Sequence, residues 1–395
     1  MRKLYLINLE SYESRYTLQL TRWVTDVLDR RGNDYEIVYG QELTPDKSIV
    51  TGSVLDAHGR SYYSLTQMAA LVKLMKEGKV TSDDVIFFED ATTMGIESLP
   101  YIMDQVPKEY RPKVFVRFLA NTPDPDDFIN REGMFRWARP FEIMIDNFVD
   151  GILVANEEFV SHLRIAGFKA PIYVTGLPFG KDEVQRRVPV RKPVPERTRR
   201  VAFSARWDAE KQPNFYMDLA EQYYKIDPTV EFAIFCGHPT LKSNNQAYVD
   251  RALALQASNT ANFKIYTGLK KNDYYNLLAD SWVLFNCALQ DWWSNTVSEA
   301  GALDTITLYP AYRSFPEVFA NNCDYMYAPW SHKDAITKLQ QMFKNPLDYN
   351  LSPLVDYADK CIDRTIDIFE GSGEQWSRNE LDYRKHVAIP KYIWK

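Results

Sequence analysis

Cysteine is scarce in this chain, with four in 395 residues, and Cys236, Cys287, Cys323 and Cys361 are widely spaced and confined to the second half. That distribution has neither the paired spacing of a zinc site nor the density of a disulfide-stapled scaffold, so four reduced thiols are expected. Long apolar runs are also missing. No stretch approaches the ~18 residues that cross a bilayer, and the opening residues lead into polar sequence without a signal-peptide core. A soluble, cytoplasmic protein is the expectation. An excess of positive charge is lacking as well: 47 Lys and Arg face 53 Asp and Glu, for a net charge of −6, which removes any global pull toward nucleic acid. No internal repeat or low-complexity tract is seen. What is present is core-forming material, 45% hydrophobic residues and 14% aromatics against 25% charged. The chain is globular, and its length exceeds what one core usually serves, so two domains are expected.

Residues 3–8 form a β-rich run, followed by a helical spacing of Leu18, Leu20, Trp23, Val24, Val27 and Leu28 that stops at Gly32. Residues 35–39 read as a strand, 64–78 as a helix ending on glycine, and 84–88, 113–118, 151–155 and 170–175 as further strands. Such alternation predicts mostly parallel strands covered on both faces. Between 177 and 200 the rhythm breaks at Pro178, Pro189, Pro193 and Pro195. A second series then places strands at 200–204, 231–236, 263–266, 282–286 and 305–309, with helices at 214–224, 272–279 and from near Ser298. The expected fold is α/β, two Rossmann-like doubly wound domains facing a central crevice, where ligands collect beyond the carboxyl ends of the strands. The boundaries read as 1–180 for a first domain, 181–200 for a basic, Pro-rich linker, 201–350 for a second domain, and 351–395 for a helical tail returning to the first domain.

The second domain carries the more legible chemistry. Arg206 and Lys211 lie between a strand and a helix, and two cations there suit a diphosphate whose negative charge grows as a bond to it breaks. Asp291 and Glu299 have seven residues between them. Glu299 is expected in the first turn of a helix, where the dipole favours a carboxylate, and Ser294, Asn295 and Thr296 offer backbone N–H groups at the helix entrance. Each residue also has an ordinary reading, as a surface cation or a helix-capping carboxylate.

Taken in order, these features resemble the donor half of GT-B glycosyltransferases, in particular the retaining enzymes of glycosyltransferase family 4. The similarity spans about residues 200–310: a strand leading to Arg206 and Lys211, a strand closed by Gly237, a strand and Gly268 before a helix, and the acidic pair with Ala300 and Gly301 behind it. Asp291 stands where the family usually has Glu. The resemblance implies that Glu299 holds the ribose hydroxyls and Asp291 the transferred sugar. It implies also that Ser294 to Thr296, Arg206 and Lys211 hold the diphosphate of a UDP- or GDP-sugar. A metal is then not needed, although Asp124, Asp126 and Asp127 keep a carboxylate-bound ion as an alternative. Retention with front-face attack would follow the family.

The first domain offers no clean equivalent of the family's histidine: Asn121 stands where it would be sought, and His58 is a second candidate. Glu89 and Asp90 end a buried strand, from which a carboxylate could deprotonate an acceptor hydroxyl in a direct displacement that inverts the anomeric centre, the alternative to retention. The helix from Tyr12, with Glu13, Asp26 and Asp29 among its charges, is too mixed to lie on a membrane. In length, donor half and aromatic content the chain is also similar to the alpha-glucosyltransferases of T-even phages, which implies hydroxymethylated pyrimidine in DNA as acceptor and a host-cytoplasmic location. The basic run Arg186, Arg187, Arg191, Lys192, Arg197, Arg199 and Arg200, with Arg131, Arg136 and Arg139, would then contact duplex DNA. Alternatives are a small sugar, lipid or protein acceptor, a solvated linker in place of a DNA surface, or a catalytically silent nucleotide-sugar or nucleic-acid binding protein.

Overall fold

The computed structural model describes residues 2–10, 16–43 and 57–375. Tyr12 and Glu13 of the first helix, and residues 376–395 of the expected tail, lie outside them. Among the described residues two compact units are formed, 2–178 with 360–375 and 179–359.

The first unit is a six-stranded sheet of β1 (Lys3–Ile7), β2 (Asp34–Ile37), β3 (Val85–Phe88), β4 (Lys113–Arg117), β5 (Gly151–Val154) and β6 (Ile172–Val174), in the order β2-β1-β3-β4-β5-β6. Every pairing is parallel. The sequence dictates this: the Val-Ile-Phe-Phe of β3 and the Gly-Ile-Leu-Val of β5 are buried throughout, as strands covered on both faces must be. Helix Tyr16–Arg31 and the chain's late helix Cys361–Glu370 both pack in this unit, and Arg31 bonds Asp367 at 2.8 Å. Phe369 meets Phe87 and Phe115 with centroids 4.9 and 5.0 Å apart.

The second unit repeats the plan with β7 (Thr198–Phe203), β8 (Glu231–Phe235), β9 (Phe263–Tyr266), β10 (Ser281–Phe285), β11 (Ile306–Pro310) and β12 (Met326–Tyr327), ordered β12-β11-β10-β7-β8-β9. Its pairings are again parallel. The strand order reverses between β1 and β3 in the first unit and between β7 and β10 in the second. Loops beyond the carboxyl ends of those strands are where open sheets hold ligands.

The segment 181–200, read as a linker, is built into the second unit. It contains helix Lys181–Arg187 and the 3₁₀ turn Val194–Glu196. Gln185 donates to Ala302 O at 3.2 Å and Arg197 to Asp304 O at 2.9 Å. Its prolines suggested a break, but Pro195 fits the first turn of the 3₁₀ segment, where its missing N–H costs nothing.

Candidate functional site

At the second unit's switch point the loops after β7 and β10 are zipped together. Gln212 adopts a left-handed φ of 52° before Pro213, which opens helix Pro213–Tyr224. That turn folds the chain back so that Glu210 O accepts from Leu289 N at 2.8 Å, Lys211 Nζ donates to Gln290 O at 2.7 Å, and Gln212 Nε2 donates to Cys287 O at 2.6 Å. Lys211, nearly buried, stands 3.5 Å from Asp291 Oδ2. Arg206 lies farther out, half exposed, and pairs with Glu210 at 2.7 Å. The structure therefore joins Lys211 to Asp291, while Arg206 is tethered to a different carboxylate of the same loop.

Helix Asn295–Ala302 follows, with Ser294 as its N-cap residue. The Ser294 hydroxyl lies 2.8 Å from that of Thr296 and 3.0 Å from that of Tyr309, and Thr296 and Tyr309 are 3.1 Å apart. Burial pushes the Tyr309 phenol up from its ordinary pKa, so it stays a donor. Because the helix begins at Asn295, Glu299 occupies its second turn, not the first, and a capping role does not apply. Its buried carboxylate instead accepts hydrogen bonds from Lys271 Nζ (2.8 Å), Tyr274 Oη (2.8 Å) and Tyr275 Oη (3.0 Å) of helix Lys271–Ala279. The Tyr274 ring packs edge-on against Phe235 at the end of β8, centroids 6.2 Å apart. Gly301, one turn from the N-terminal half of the helix, allows close packing: a Cβ there would fall 2.5 Å from Val355 Cγ2. Gly268, at φ 66°, donates its N–H to His238 O at 2.7 Å. Gly237 has no such demand, since an added Cβ would meet only Leu269 O at 3.4 Å.

Lys271, Tyr274, Tyr275 and Tyr309 escaped sequence reasoning. The first three had a signal: spacing i, i+3, i+4 puts them on one helical face.

In the first unit, Asp90 ends up at the switch point between β1 and β3. Arg60 Nη2 donates to its Oδ2 at 2.5 Å and Thr92 N to its Oδ1 at 2.9 Å, and Arg60 Nη1 also lies 3.7 Å from Glu10. Glu89 does not join this group. It shares the inward face of the strand with Phe87, two residues before it, and lies 3.5 Å from Arg117 among residues of helices Tyr16–Arg31 and Cys361–Glu370. Burial raises its pKa. A reacting role at the sheet's edge is therefore withdrawn for Glu89, because its side chain points into the core. His58 is exposed on helix Ala57–Lys76. Asn121 is fully buried and braces its own loop, accepting from Asp124 N at 2.9 Å. Asp127 caps helix Phe128–Arg131, and Asp124 accepts from Asp126 N at 3.0 Å. Asp124 and Asp127 thus brace their own loop, and among the described residues no cluster of His, Cys, Asp and Glu suits a metal ion.

The basic run is also spoken for within the second unit. Arg187 pairs with Glu183, Arg191 with Asp304 at 3.0 Å, Lys192 with Asp280 at 3.1 Å, Arg199 with Asp227 at 2.8 Å and Arg200 with Glu231. Buried Arg197 donates to Lys192 O and Asp304 O, and exposed Arg186 donates to Asp182 O at 3.2 Å. In the first unit Arg139 packs over Phe168 and donates to Ala166 O at 2.7 Å, Arg131 pairs with Asp126 at 3.4 Å, and Arg136 is exposed. Five of the seven cations of the run are thus matched by carboxylates of the second unit, and Arg186 and Arg197 donate to backbone carbonyls. A pocket of about 510 Å³ lined by Arg191, Lys192, Arg197, Asp304 and Leu347 sits at the amino ends of β7 and β11, away from the switch point. Among the described residues no helix is long and apolar enough to cross a membrane.

Solved structures decide the architecture. An alpha,alpha-trehalose-phosphate synthase (UDP-forming) from Burkholderia vietnamiensis superposes with a TM-score of 0.63 at 13% identity, covering 94% of this chain and 98% of that one. The fold is GT-B. A sucrose-phosphate synthase from Thermosynechococcus elongatus matches at TM-score 0.61 and 9% identity over 94% and 98% of the two chains. HepE of Anabaena, solved in complex with UDP-glucose, matches at 0.58 and 11% over 94% and 100%. No protein-family model and no curated protein matches the chain. Residues 201–350, expected as the second domain, fall within the unit 179–359.

Proposed function

We propose that this chain is a glycosyltransferase that moves a sugar from a nucleoside-diphosphate sugar to a hydroxyl of a small sugar acceptor. The observation that carries the reading is the construction of the second unit's switch point. A lysine–aspartate pair, a hydroxyl-lined helix entrance and a buried glutamate are all assembled there by the loops and helices beyond β7 and β10. Glu299 holds the ribose, Lys211, Arg206 and the Ser294–Thr296 turn take the diphosphate, and Asp291 faces the sugar. Cations and oriented N–H groups act where charge develops on the leaving diphosphate, which is the largest stabilising effect such a site can exert. Retention, with attack assisted by the leaving phosphate, suits a site with no protein nucleophile assigned. Asp90, oriented by Arg60 and Thr92, is the acceptor-side carboxylate.

A sugar acceptor is preferred to DNA for two reasons. The similar structures include trehalose-phosphate and sucrose-phosphate synthases, and five of the seven cations of the basic run already have carboxylate partners.

Titration calorimetry with UDP, GDP and their sugars, with and without EDTA, tests the donor assignment. At least one should bind, with affinity unchanged by chelation. Glu299→Ala should weaken it roughly tenfold to a hundredfold, the worth of a charge-assisted hydrogen bond. Mass spectrometry of reactions with a pool of small sugars should then find a glycoside. A folded protein that binds no nucleoside diphosphate would end this reading, and transfer to a hydroxymethylated duplex but to no sugar would end the acceptor part.

A further inference from the structure

Glu299 is bonded more fully than a ribose-holding carboxylate can remain. Its Oε1 accepts from Lys271 and Tyr275 and its Oε2 from Tyr274. A carboxylate offers about four lone-pair positions, so a single one, on Oε2, is left by these three donors. A ribose presents two hydroxyls and needs two positions.

One of the three donors must therefore yield, and their surroundings say which. The Tyr275 side chain is fully buried and that of Tyr274 nearly so. Burial holds the Tyr274 phenol well above its ordinary pKa, and its ring packs against Phe235 and Tyr275 with centroids 6.2 and 5.3 Å away. Neither ring has anywhere to go. Lys271 differs. Its side chain is 37% exposed, and its charge sits on a flexible four-carbon stem. Its ammonium is 5.2 and 5.0 Å from the centroids of Tyr274 and Tyr275, so the rings cushion it without fixing it.

We infer that Lys271 is a displaceable counter-ion of Glu299: a ribose makes its two-point contact by exchanging with the Lys271 ammonium, so this lysine sets how strongly the site distinguishes ribose from 2′-deoxyribose. The inference rests on the assignment of Glu299 to the ribose. A 2′-deoxyribose, with one hydroxyl on that edge, uses the open Oε2 position and leaves Lys271 in place. A ribose gains the second bond but carries the cost of the exchange. The lysine thus narrows a discrimination that Glu299 alone would make wider, while giving the buried carboxylate a partner at all times.

The experiment compares wild type, Lys271→Met, Lys271→Arg and Glu299→Gln by calorimetry. The ligands are UDP, GDP and their 2′-deoxy forms, at about pH 8, where carboxylates are ionised. Lys271→Met should bind the preferred ribonucleotide about two- to fivefold more tightly, the worth of a partly exposed ion pair, with the deoxy form unchanged. The ribose-to-deoxyribose ratio widens by the same factor. Lys271→Arg, which keeps a cation, should track wild type. Weaker binding of both nucleotides by Lys271→Met would make the lysine a phosphate ligand and overturn the inference, as would an unchanged ratio, which marks a purely structural pair. Glu299→Gln should lose most of the discrimination; if it kept all of it, or if wild type bound no nucleotide, the ribose assignment itself would fall and the inference with it.

Discussion

Glu142 has a titration behaviour set by its surroundings, not by its type. Its carboxyl is buried under the loop that follows β4, receiving Thr122 N at 2.7 Å and the Thr122 hydroxyl, with Arg139 at 3.6 Å. Burial outweighs these bonds and pushes its pKa up to about 7 from 4.5. Between those values the folded chain holds a proton that the unfolded chain has released. Stability therefore falls as pH rises through that window, and the loss is complete above it, on the order of 3 kcal/mol. Glu142→Gln carries no charge at any pH and should flatten this part of the profile. Urea midpoints of the two proteins between about pH 5 and pH 8 check it, and equal losses would mean that the carboxyl is not desolvated in the folded chain.

At the scale of elements, helix Asn295–Ala302 explains why small residues follow Glu299. The helix packs against helix Ser352–Asp359, and a Cβ on Gly301 would fall 2.5 Å from Val355 Cγ2 and 3.1 Å from Leu351 Cβ. Val355 is buried and stiff at χ1, so the neighbour cannot easily move. Gly301→Ala should cost about 1–3 kcal/mol of overpacking, partly offset by up to about 1 kcal/mol of helix propensity. Gly301→Val should cost more and should weaken nucleotide binding as well, because Glu299 moves with the helix. Thermal melts with nucleotide titrations separate the two effects. Strands of this kind were legible from sequence because a doubly covered strand must be an unbroken apolar run, as in β3 and β10. The loop residues Arg206, Lys211 and Asp291 were legible as candidates by order and spacing. Their partners were not, because an ion pair is decided by what another element brings alongside: Glu299 is met by Lys271, and Arg191 by Asp304 from a distant turn. Glu89 misled for the same reason. A strand's last residues alternate in direction, and only the helices packed beside them tell which side is the core.

For the whole molecule, local pairing prevails over local composition. Duplex binding depends on free cations, each phosphate contact contributing about −0.9 to the slope of log affinity against log salt. With the basic run compensated by Glu183, Asp227, Glu231, Asp280 and Asp304, fluorescence polarisation should find weak binding to duplex DNA and a shallow slope. A steep one would mean that these pairs open in solution. The late helix Cys361–Glu370 bears on how the chain comes to be folded. Its Phe369 lies against Phe87 and Phe115, and its Thr365 bonds buried Arg117 at 3.0 Å. Domains usually form in the order in which the ribosome delivers them, but here the first-made sheet lacks one of its covering layers until helix Cys361–Glu370 has emerged, after the whole of 179–359. The later-made unit, whose described residues are contiguous, can therefore mature first, and a nascent chain stalled before Cys361 would expose apolar surface on its amino-terminal sheet while its carboxy-terminal one was already closed.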